Sequence, residues 1–427
     1  MGKSRKVRIA GRDQACIHMR TVGYMGPMTP PTPAQVRSTL ARLAALYSGH
    51  RILRKLDHQN VRWITVPAPE MAAHCERMVV DLTGAPATTP ESVVADLYNS
   101  PASDLPVRFV IGRDFCALLV NHACVDGLTI NAIWPEIIRC AVAGEDPAAV
   151  AVPSIRMPLL RALDNYYRRS PKRILATLRA PHSVPPAETN DRPTVAWQPE
   201  FAVVSASAGP AALEQIRKWR LEHARGITRT MVLFAAARAA LEQVGLTAAT
   251  PGLYVIGDIR KFLPAGARLD GNFASAVYIT PADPTDPVML NESVDTAFSA
   301  ARPLATMALV AATASRRRRK AGGVPDRITQ AVAPVHSLVH TGRLKPYEKL
   351  PWTGDRSERR YVIGSTPGGS DGISVFISEI HGGIDITATF HATTFDRDAV
   401  AHALEMMCKD PASVLDASRA RREHVAA

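Results

Sequence analysis

Residues 115–127 read FCALLVNHACVDG, an apolar run that ends in a histidine, an aspartate and a glycine. The run at 115–120 is short and uncharged, and polar residues follow it, so it predicts a buried strand. His122 comes directly after this strand, where the backbone turns and a side chain can face a cleft. Asp126 lies four positions later, and Gly127 leaves space beside the imidazole. We therefore predict that His122 is a base with room for a substrate next to it.

The segments around this stretch have the patterns of strands and helices. Strands are predicted at 62–66 and 107–111, and a helix is predicted at 128–142, directly after the histidine turn. A first helix at 34–47 has apolar residues at helical spacing behind a run of prolines. The histidine thus lies between a strand and a helix, which is the context that an exposed base requires.

The second half of the chain contains a similar mixture, without an internal sequence repeat. The predicted elements are strands at 201–205, 254–260, 374–379 and 384–389 and helices at 211–223, 231–244 and 397–407. Six prolines interrupt a polar stretch between 171 and 199. A length of 427 residues also favours two domains. We therefore predict an N-terminal domain at 1–180 with the histidine motif, a linker at 181–199 and a C-terminal domain at 200–427.

The histidine stretch resembles the H-x-x-x-D-G signature of an acyltransferase superfamily. That superfamily includes chloramphenicol acetyltransferase, nonribosomal peptide condensation domains, polyketide-associated acyltransferases and wax ester synthase-like enzymes. Two further stretches are similar to it in the same order: 226–241, a Gly-x-Thr turn before an apolar helix, and 254–275, with the successive motifs D-x-R, F-L-P and G-N-F. The resemblance covers about residues 30–410. It implies an α/β fold of two chloramphenicol acetyltransferase-like subdomains, each a mixed sheet with helices, forming a V-shaped pseudo-dimer around a central tunnel.

The resemblance also implies a role for each matched residue. His122 acts as general base on the acceptor, and no acyl-enzyme forms. Asp126 faces away from the imidazole and pairs with an arginine that braces the site, for which Arg260 in the D-x-R motif is the candidate. Gly127 keeps the channel open. Beyond the resemblance, Asn272 either orients a substrate or caps a turn. Ser275 and Ser374 are further candidates for substrate binding, Ser275, Ser374 and Thr393 are hydroxyl candidates for oxyanion stabilisation, and no metal is expected.

The function implied is transfer of an acyl group from a thioester to a hydroxyl or amine, in lipid or natural product biosynthesis. The thioester, acyl-coenzyme A or carrier-protein phosphopantetheine, is a co-substrate, and no tightly bound cofactor is expected. One alternative is a free-standing condensation enzyme that joins two carrier-bound substrates; another is a family member that binds without catalysis. Many condensation domains have a second histidine where this chain has Asn121, which weakens the case for peptide condensation in particular.

Bulk composition limits the partners and the compartment. A net charge of +12 suits coenzyme A phosphates or an acidic carrier protein, and no nucleic-acid-binding motif accompanies it. The basic run at 316–320 is expected to be a solvated helix end or loop, or else a grip for phosphate or a carrier protein. We expect no transmembrane segment, no secretory signal and a cytoplasmic location with free cysteines.

Three further residues offer competing chemistry. Cys124 lies inside the motif and is an alternative nucleophile, with His122 as its base. His336 and His340 are four positions apart and would share one face of a helix, as metal ligands do. The chain has no glutamate at the position that a zinc-binding helix motif requires and no evident third ligand, so a zinc site is the weaker interpretation.

Overall fold

The computed structural model of the chain describes residues 4–86, 88–168, 170–179, 193–320, 325–330 and 332–426. The strands are β1 (Lys6–Arg8), β2 (Arg20–Gly26), β3 (Lys55–Asp57), β4 (Arg62–Ile64), β5 (Val79–Leu82), β6 (Val107–Gly112), β7 (Cys116–Asn121), β8 (Thr194–Ala196), β9 (Phe201–Ala208), β10 (Leu253–Asp258), β11 (Ala274–Ile279), β12 (Arg327–Thr329), β13 (Val335–Arg343), β14 (Arg360–Ser365), β15 (Gly372–Ile380) and β16 (Gly383–His391). The helices are α1 (Gly11–Gln14), α2 (Pro33–Leu46), α3 (Met71–Arg77), α4 (Pro90–Asn99), α5 (Gly127–Ala143), α6 (Pro158–Tyr167), α7 (Pro171–Arg179), α8 (Pro210–His223), α9 (Arg229–Gln243), α10 (Pro287–Ser299), α11 (Arg302–Lys320), α12 (Lys345–Glu348), α13 (Arg397–Lys409) and α14 (Pro411–Ala426).

The first of two large sheets carries the histidine motif. Its five strands lie in the order β14-β2-β7-β6-β5. Strands β5 and β6 are parallel, whereas the other neighbours are antiparallel. The edge strand β14 comes from the second half of the chain and pairs with β2, from Arg360 opposite Gly26 to Ser365 opposite Thr21. The second half of the chain therefore completes the sheet of the first half.

The second large sheet is built entirely from the second half. Its six strands lie in the order β11-β10-β13-β15-β16-β9. Strands β10, β13 and β15 are parallel, and antiparallel strands flank them on both sides. Each half of the chain thus contains a mixed sheet with helices packed on it, as predicted. Two smaller sheets, β1-β4-β3 and β12-β8, complete the described strands.

Helices α5 and α9 fill the two main apolar cores. On α5, the side chains of Trp134, Ile137 and Ile138 are fully buried. Gly23 on β2 allows the close approach of this helix, because a Cβ there would come within 2.6 Å of the Trp134 ring. Helix α9 is buried on all sides from residue 231 to residue 241. A helix that is apolar all round requires such complete cover.

Most predicted elements of the first half lie where the sequence pattern placed them. Helix α2 begins behind Thr32, whose side chain accepts a hydrogen bond from the backbone of Gln35. Strands β4, β6 and β7 and helix α5 match the predictions to within two residues. In the second half, the strands predicted at 374–379 and 384–389 are β15 and β16, which form a hairpin with His381 and Gly382 at φ angles of 50° and 75° in its turn. Such left-handed turn residues match the twist of the paired strands.

The predicted helical placement of His336 and His340 is wrong, because both lie on strand β13. The division into domains at 1–180 and 200–427 remains a prediction. Residues 180–192, which make up most of the predicted linker, lie outside the described residues. Residues 194–196, at the end of that linker, form β8 and pair with β12.

The basic run predicted at 316–320 belongs to the last turns of α11. Arg316 is exposed, whereas the side chains at 317–320 lie outside those described. Among the helices that the structure describes, none is by itself long and apolar enough to cross a membrane. The helical segments Pro287–Ser299 and Arg302–Ala314 are long and apolar enough only when they are taken together, and the chain bends by 58° between them.

Candidate active site

The turn after β7 holds His122 by its backbone. The N–H of His122 donates to the carbonyl of Met19 at 2.9 Å. The side chain of Asn121 spans the same turn: its amide nitrogen donates to the carbonyl of Ile17 at 2.8 Å, and its oxygen accepts from the N–H of Ala123 at 3.0 Å. Asn121 therefore shapes the turn, while His122 is left to present its ring.

His122 is half-buried as a residue, and its Nδ1 atom is buried without a hydrogen-bond partner among the described residues. Burial lowers the pKa of His122, although the negative charges of Asp126 and Asp13 oppose that shift. Desolvation disfavours the charged imidazolium, so a base in this position is neutral at pH 7. A neutral imidazole can accept a proton from a hydroxyl or an amine.

Asp126 is buried and caps the N-terminus of α5. Its carboxylate accepts hydrogen bonds from the backbone N–H of Thr129 at 2.9 Å and of Phe273 at 2.7 Å. Arg260 donates two more, at 2.9 and 3.1 Å, one to each carboxylate oxygen. Burial acts to raise the pKa of Asp126, but the charge of Arg260 and these donors outweigh it, so the pKa lies below its usual value.

Arg260 begins a short 3-10 turn, Arg260–Phe262, directly after β10. Besides Asp126, its guanidinium contacts Asp258 at 2.7 Å and donates to the Thr129 hydroxyl and the Gly271 carbonyl, each at 2.8 Å. It thereby joins the histidine turn of the first half to two loops of the second half. No hydrogen bond or ion pair joins Asp126 to His122 in the described part of the chain. The site is therefore not an aspartate–histidine dyad.

Asn272 is buried beside the histidine turn. Its amide nitrogen lies 3.5 Å from the carbonyl oxygen of His122 and 3.3 Å from the sulfur of Cys16. Its oxygen accepts from the N–H of Ala274 at 3.4 Å. These contacts place the Asn272 side chain against the backbone of His122. The structure thus brings together His122, Asp126, Arg260 and Asn272.

The remaining predicted residues are Ser275 and Ser374, for substrate binding or oxyanion stabilisation, and Thr393, for oxyanion stabilisation. Ser275 on β11 shares a sheet face with Val277, which belongs to the core of the second half. Ser374 on β15 lies opposite Thr389 on β16. Thr393 is exposed and donates to a backbone carbonyl, that of Gln198, at 2.7 Å. Within the described ranges, no hydrogen bond connects Ser275, Ser374 or Thr393 to His122.

Gly127 is the first residue of α5 and lies next to Asp126. Among the described residues, no other atom lies within 4 Å of a Cβ built on Gly127, so this side of the helix terminus is open. That Gly127 keeps a channel open beside His122 stays a prediction.

Similar solved structures extend over almost the whole chain, whereas no protein-family model matches it and a search of curated proteins found no match. The trichothecene 15-O-acetyltransferase of Fusarium sporotrichioides is 10% identical, covers 97% of this chain over 96% of its own and gives a TM-score of 0.63. The first condensation domain of the calcium-dependent antibiotic synthetase is 15% identical, with 97% of each chain covered and a TM-score of 0.58. The chain has the fold of condensation domains and related acyltransferases. The predicted fold class is therefore confirmed.

A third structure with this condensation fold is polyketide synthase associated protein 5 from Mycobacterium tuberculosis. It is 12% identical to the chain, covers 96% of it over 100% of its own length and gives a TM-score of 0.53. Identities between 10 and 15% show a common fold alone. The roles of the individual residues must therefore be argued from the geometry of this chain.

A buried ion pair beside the histidine turn was not predicted from the sequence. Arg51 donates to Asp13 at 2.6 Å and to the carbonyl of Ala123, next to His122, at 3.1 Å. Gly271 accommodates this arginine, because a Cβ there would lie 1.9 Å from one guanidinium nitrogen. Asp13 and Arg51 are 38 positions apart. No local pattern links residues at that separation, and the sequence holds no signal that would have found the pair.

The alternative in which Cys124 is the nucleophile finds little support in this environment. Cys124 is fully buried, and burial raises its pKa to about 12 although Arg51 lies close enough to lower it. A nucleophilic cysteine needs a depressed pKa and access to substrate. Cys124 is therefore a core residue with a protonated thiol.

His336 and His340 lie on β13, and each has a partner. The Nδ1 atom of His336 accepts from Arg238 at 2.7 Å, and burial lowers the His336 pKa to about 3. The two ring nitrogens of His340 lie 2.8 Å from the Thr230 hydroxyl and 3.2 Å from the Glu379 carboxylate. Among the described residues there is no group of three or more histidine, cysteine or acidic side chains that could hold a metal ion. Both histidines thus form hydrogen bonds with other side chains of the protein.

Proposed function

We propose that the protein transfers an acyl group from a thioester to a hydroxyl or amine, with His122 as the general base. The proposal rests on the two hydrogen bonds that the Arg260 guanidinium donates to the carboxylate oxygens of Asp126, at 2.9 and 3.1 Å. Arg260 holds the Asp126 carboxylate away from His122, and burial lowers the pKa of His122, so the imidazole is neutral at pH 7. Such a group suits proton transfer from an acceptor with an ordinary O–H or N–H bond.

In the proposed reaction, the acceptor O–H or N–H gives its proton to the Nε2 atom of His122, since Nδ1 is buried. The acceptor oxygen or nitrogen forms a bond to the thioester carbonyl carbon, and a tetrahedral intermediate results. When the carbon–sulfur bond breaks, the sulfur leaves as a thiolate and takes the proton back from the imidazolium. The products are an ester or amide and a free thiol, and no covalent enzyme intermediate is involved.

The donor in this proposal is acyl-coenzyme A or an acyl chain on the phosphopantetheine of an acidic carrier protein. Support comes from structures with the same fold: one is named a trichothecene 15-O-acetyltransferase, and another is a condensation domain of an antibiotic synthetase. These names support acyl or amide-forming transfer in general, and both belong to natural product biosynthesis. The net charge of +12 is compatible with either anionic donor.

The test is a thiol-release assay. Wild type and His122→Ala are compared with a panel of acyl-coenzyme A and acyl-carrier-protein donors against mixed alcohol and amine acceptors. His402→Ala is the matched control, because His402 is an exposed histidine on α13, far from the motif in sequence. We expect acceptor-dependent thiol release that His122→Ala reduces by at least about 100-fold and His402→Ala leaves unchanged.

The donor panel also separates the alternatives. Release from coenzyme A thioesters supports the acyltransferase, whereas release only when both partners are bound to carrier proteins supports a free-standing condensation enzyme. If folded wild-type protein releases no thiol from any donor, or if His122→Ala is as active as wild type, the proposed mechanism is wrong. A member that binds without catalysis would show donor binding in both proteins and turnover in neither.

A further inference from the structure

A pocket opens beside the end of β7, immediately before the catalytic candidate. It is lined by Arg20 from β2, Arg108 from β6, Asn121 from β7, His58 and the loop after α4. Asn121 is the residue directly before His122 and holds the histidine turn through its side chain. The pocket is therefore joined to the candidate active site by one residue.

The sheet register brings the two arginines to one face. Arg20 on β2 lies opposite Asn121 on β7, and Arg108 on β6 lies opposite Leu119 on β7. Leu119 and Asn121 are two positions apart on the same strand, so their side chains point to the same side of the sheet. The side chains of Arg20 and Arg108 therefore share that face, on either side of β7.

Neither arginine has an acidic partner in the part of the chain that the structure describes. Arg20 donates to the carbonyl of Tyr98 at 2.6 Å and to that of Ser100, and Arg108 donates to the Ser100 hydroxyl. The Nε atom of Arg108 is buried and has no hydrogen-bond partner among the described residues. Burial and the charge of Arg20 both lower the pKa of Arg108. Two repelling cations with donors to spare form a site that an anion would stabilise.

We propose that this pocket binds an oxyanion, a phosphate or a carboxylate, carried by one of the substrates. Guanidinium groups match both ions, because their N–H bonds pair with two oxygens at once. The assignment of the oxyanion to a substrate rests on the proposed acyl transfer. The binding of an oxyanion in this pocket does not depend on that function. The two possible sources are a phosphate of the pantetheine donor and a carboxylate on the acceptor.

Direct titration tests the binding independently of catalysis. Inorganic phosphate and acetate are titrated separately by calorimetry at low ionic strength into wild type, Arg108→Gln and Arg113→Gln. Arg113 is the matched control, because it is an exposed arginine in the turn between β6 and β7. We expect one or both ions to bind wild type and Arg113→Gln equally, and Arg108→Gln about 10-fold more weakly. Equal binding by Arg108→Gln, or no binding of either ion to wild type, overturns the proposal.

A second variant keeps both arginines in place. Ala102 lines the pocket, so Ala102→Asp supplies an internal carboxylate that competes with the external ion. We expect the same loss of phosphate or acetate binding as in Arg108→Gln. The thermal unfolding midpoint of each variant shows whether the fold is intact. If Arg108→Gln does not fold, unchanged ion binding in folded Ala102→Asp overturns the proposal by itself.

Donor analogues then identify the source of the oxyanion. Coenzyme A carries phosphates, and pantetheine carries the same thiol arm without them. Weaker binding of coenzyme A but not of pantetheine in Arg108→Gln assigns the phosphate of the donor. If Arg108→Gln binds coenzyme A as wild type does but has a raised KM for carboxylate-bearing acceptors only, the oxyanion is the carboxylate of the acceptor. If neither coenzyme A binding nor this KM changes, the oxyanion does not belong to a substrate. His122→Ala should still bind the ion. A failure of the proposed catalysis can therefore be distinguished from a failure of ion binding.

Discussion

Arg260 in the second half of the chain donates one hydrogen bond to each carboxylate oxygen of Asp126 in the first half, at 2.9 and 3.1 Å. Asp126 in turn caps the helix that begins beside the histidine turn. The pair therefore fixes the position of the candidate base relative to both halves of the fold. It also removes Asp126 from acid–base chemistry, since its carboxylate is held in the ionised form.

Arg260→Gln is expected to lower the free energy of unfolding by about 3–5 kcal/mol, because it leaves the buried carboxylate of Asp126 without its counter-ion. Urea unfolding at pH 7 measures this loss. The control is Arg217→Gln, which removes an exposed partner of Glu214 and should not change stability measurably. Arg260→Lys keeps the charge but loses the paired geometry, so we expect an intermediate loss. A change below about 1 kcal/mol in Arg260→Gln would show that the pair is dispensable.

The sequence was sufficient for the features that short-range patterns encode. A short apolar run predicted β7, and apolar patterns of helix and strand type predicted α5 and the strands β15 and β16. The D-x-R motif supplied Arg260 as the candidate partner of Asp126, and the structure places the two in contact. In each case the information lies within a few adjacent residues or in a motif of fixed order.

Features that depend on distant parts of the chain could not be predicted. The pairing of Arg51 with Asp13 and the insertion of β14 into the first sheet join residues without any shared local pattern. A four-residue spacing suggested a helix for His336 and His340, yet β13 is a strand, where that spacing also puts two residues on one face. Ser275 shares a face of β11 with the core residue Val277, a placement that depends on the strand register, and its role stays a prediction.

The pH dependence of catalysis should reflect the buried environment of His122. A general base must be neutral to accept a proton, so kcat/KM rises with pH through its pKa and is constant above it. Because burial lowers the pKa of His122 from its ordinary value, we expect the inflection below about pH 6.5. A pH profile of kcat/KM with a saturable donor measures it. An inflection above that value would contradict a desolvated base.

Cys124→Ala is expected to retain the transferase activity of wild type. The thiol is fully buried and its pKa is raised to about 12, so it supplies no thiolate at neutral pH. Loss of a small buried side chain should lower stability by about 1 kcal/mol. Thiol-release rates and mass spectra of the protein after incubation with donor provide the measurement. An acyl adduct on Cys124, or loss of turnover in a folded variant, would favour the cysteine mechanism.

His336 should make the protein less stable in acid. Its pKa is about 3 in the folded protein and about 6.5 in an unfolded chain. The unfolded state therefore binds more protons between these values, and stability falls as pH decreases from about 6.5 toward 3, by up to about 1.4 kcal/mol per pH unit. Urea unfolding of wild type and His336→Gln between pH 7.5 and 4.5 isolates this contribution. Parallel curves for the two proteins would show that His336 is not the group responsible.

Gly127 should tolerate a larger side chain structurally but not functionally. A Cβ at this position meets no atom within 4 Å, so Gly127→Ala in the first turn of α5 should raise stability by about 0.4–1 kcal/mol. Gly127→Leu should fold as well, yet its side chain would occupy the space beside His122, and we expect kcat/KM to fall at least about 10-fold. Gly23→Ala provides the contrast, since its Cβ would lie 2.6 Å from Trp134 and should destabilise the fold by about 1–3 kcal/mol. Full activity in Gly127→Leu would mean that the substrate does not use this space, and a loss of folding in Gly127→Ala would mean that the space is not open.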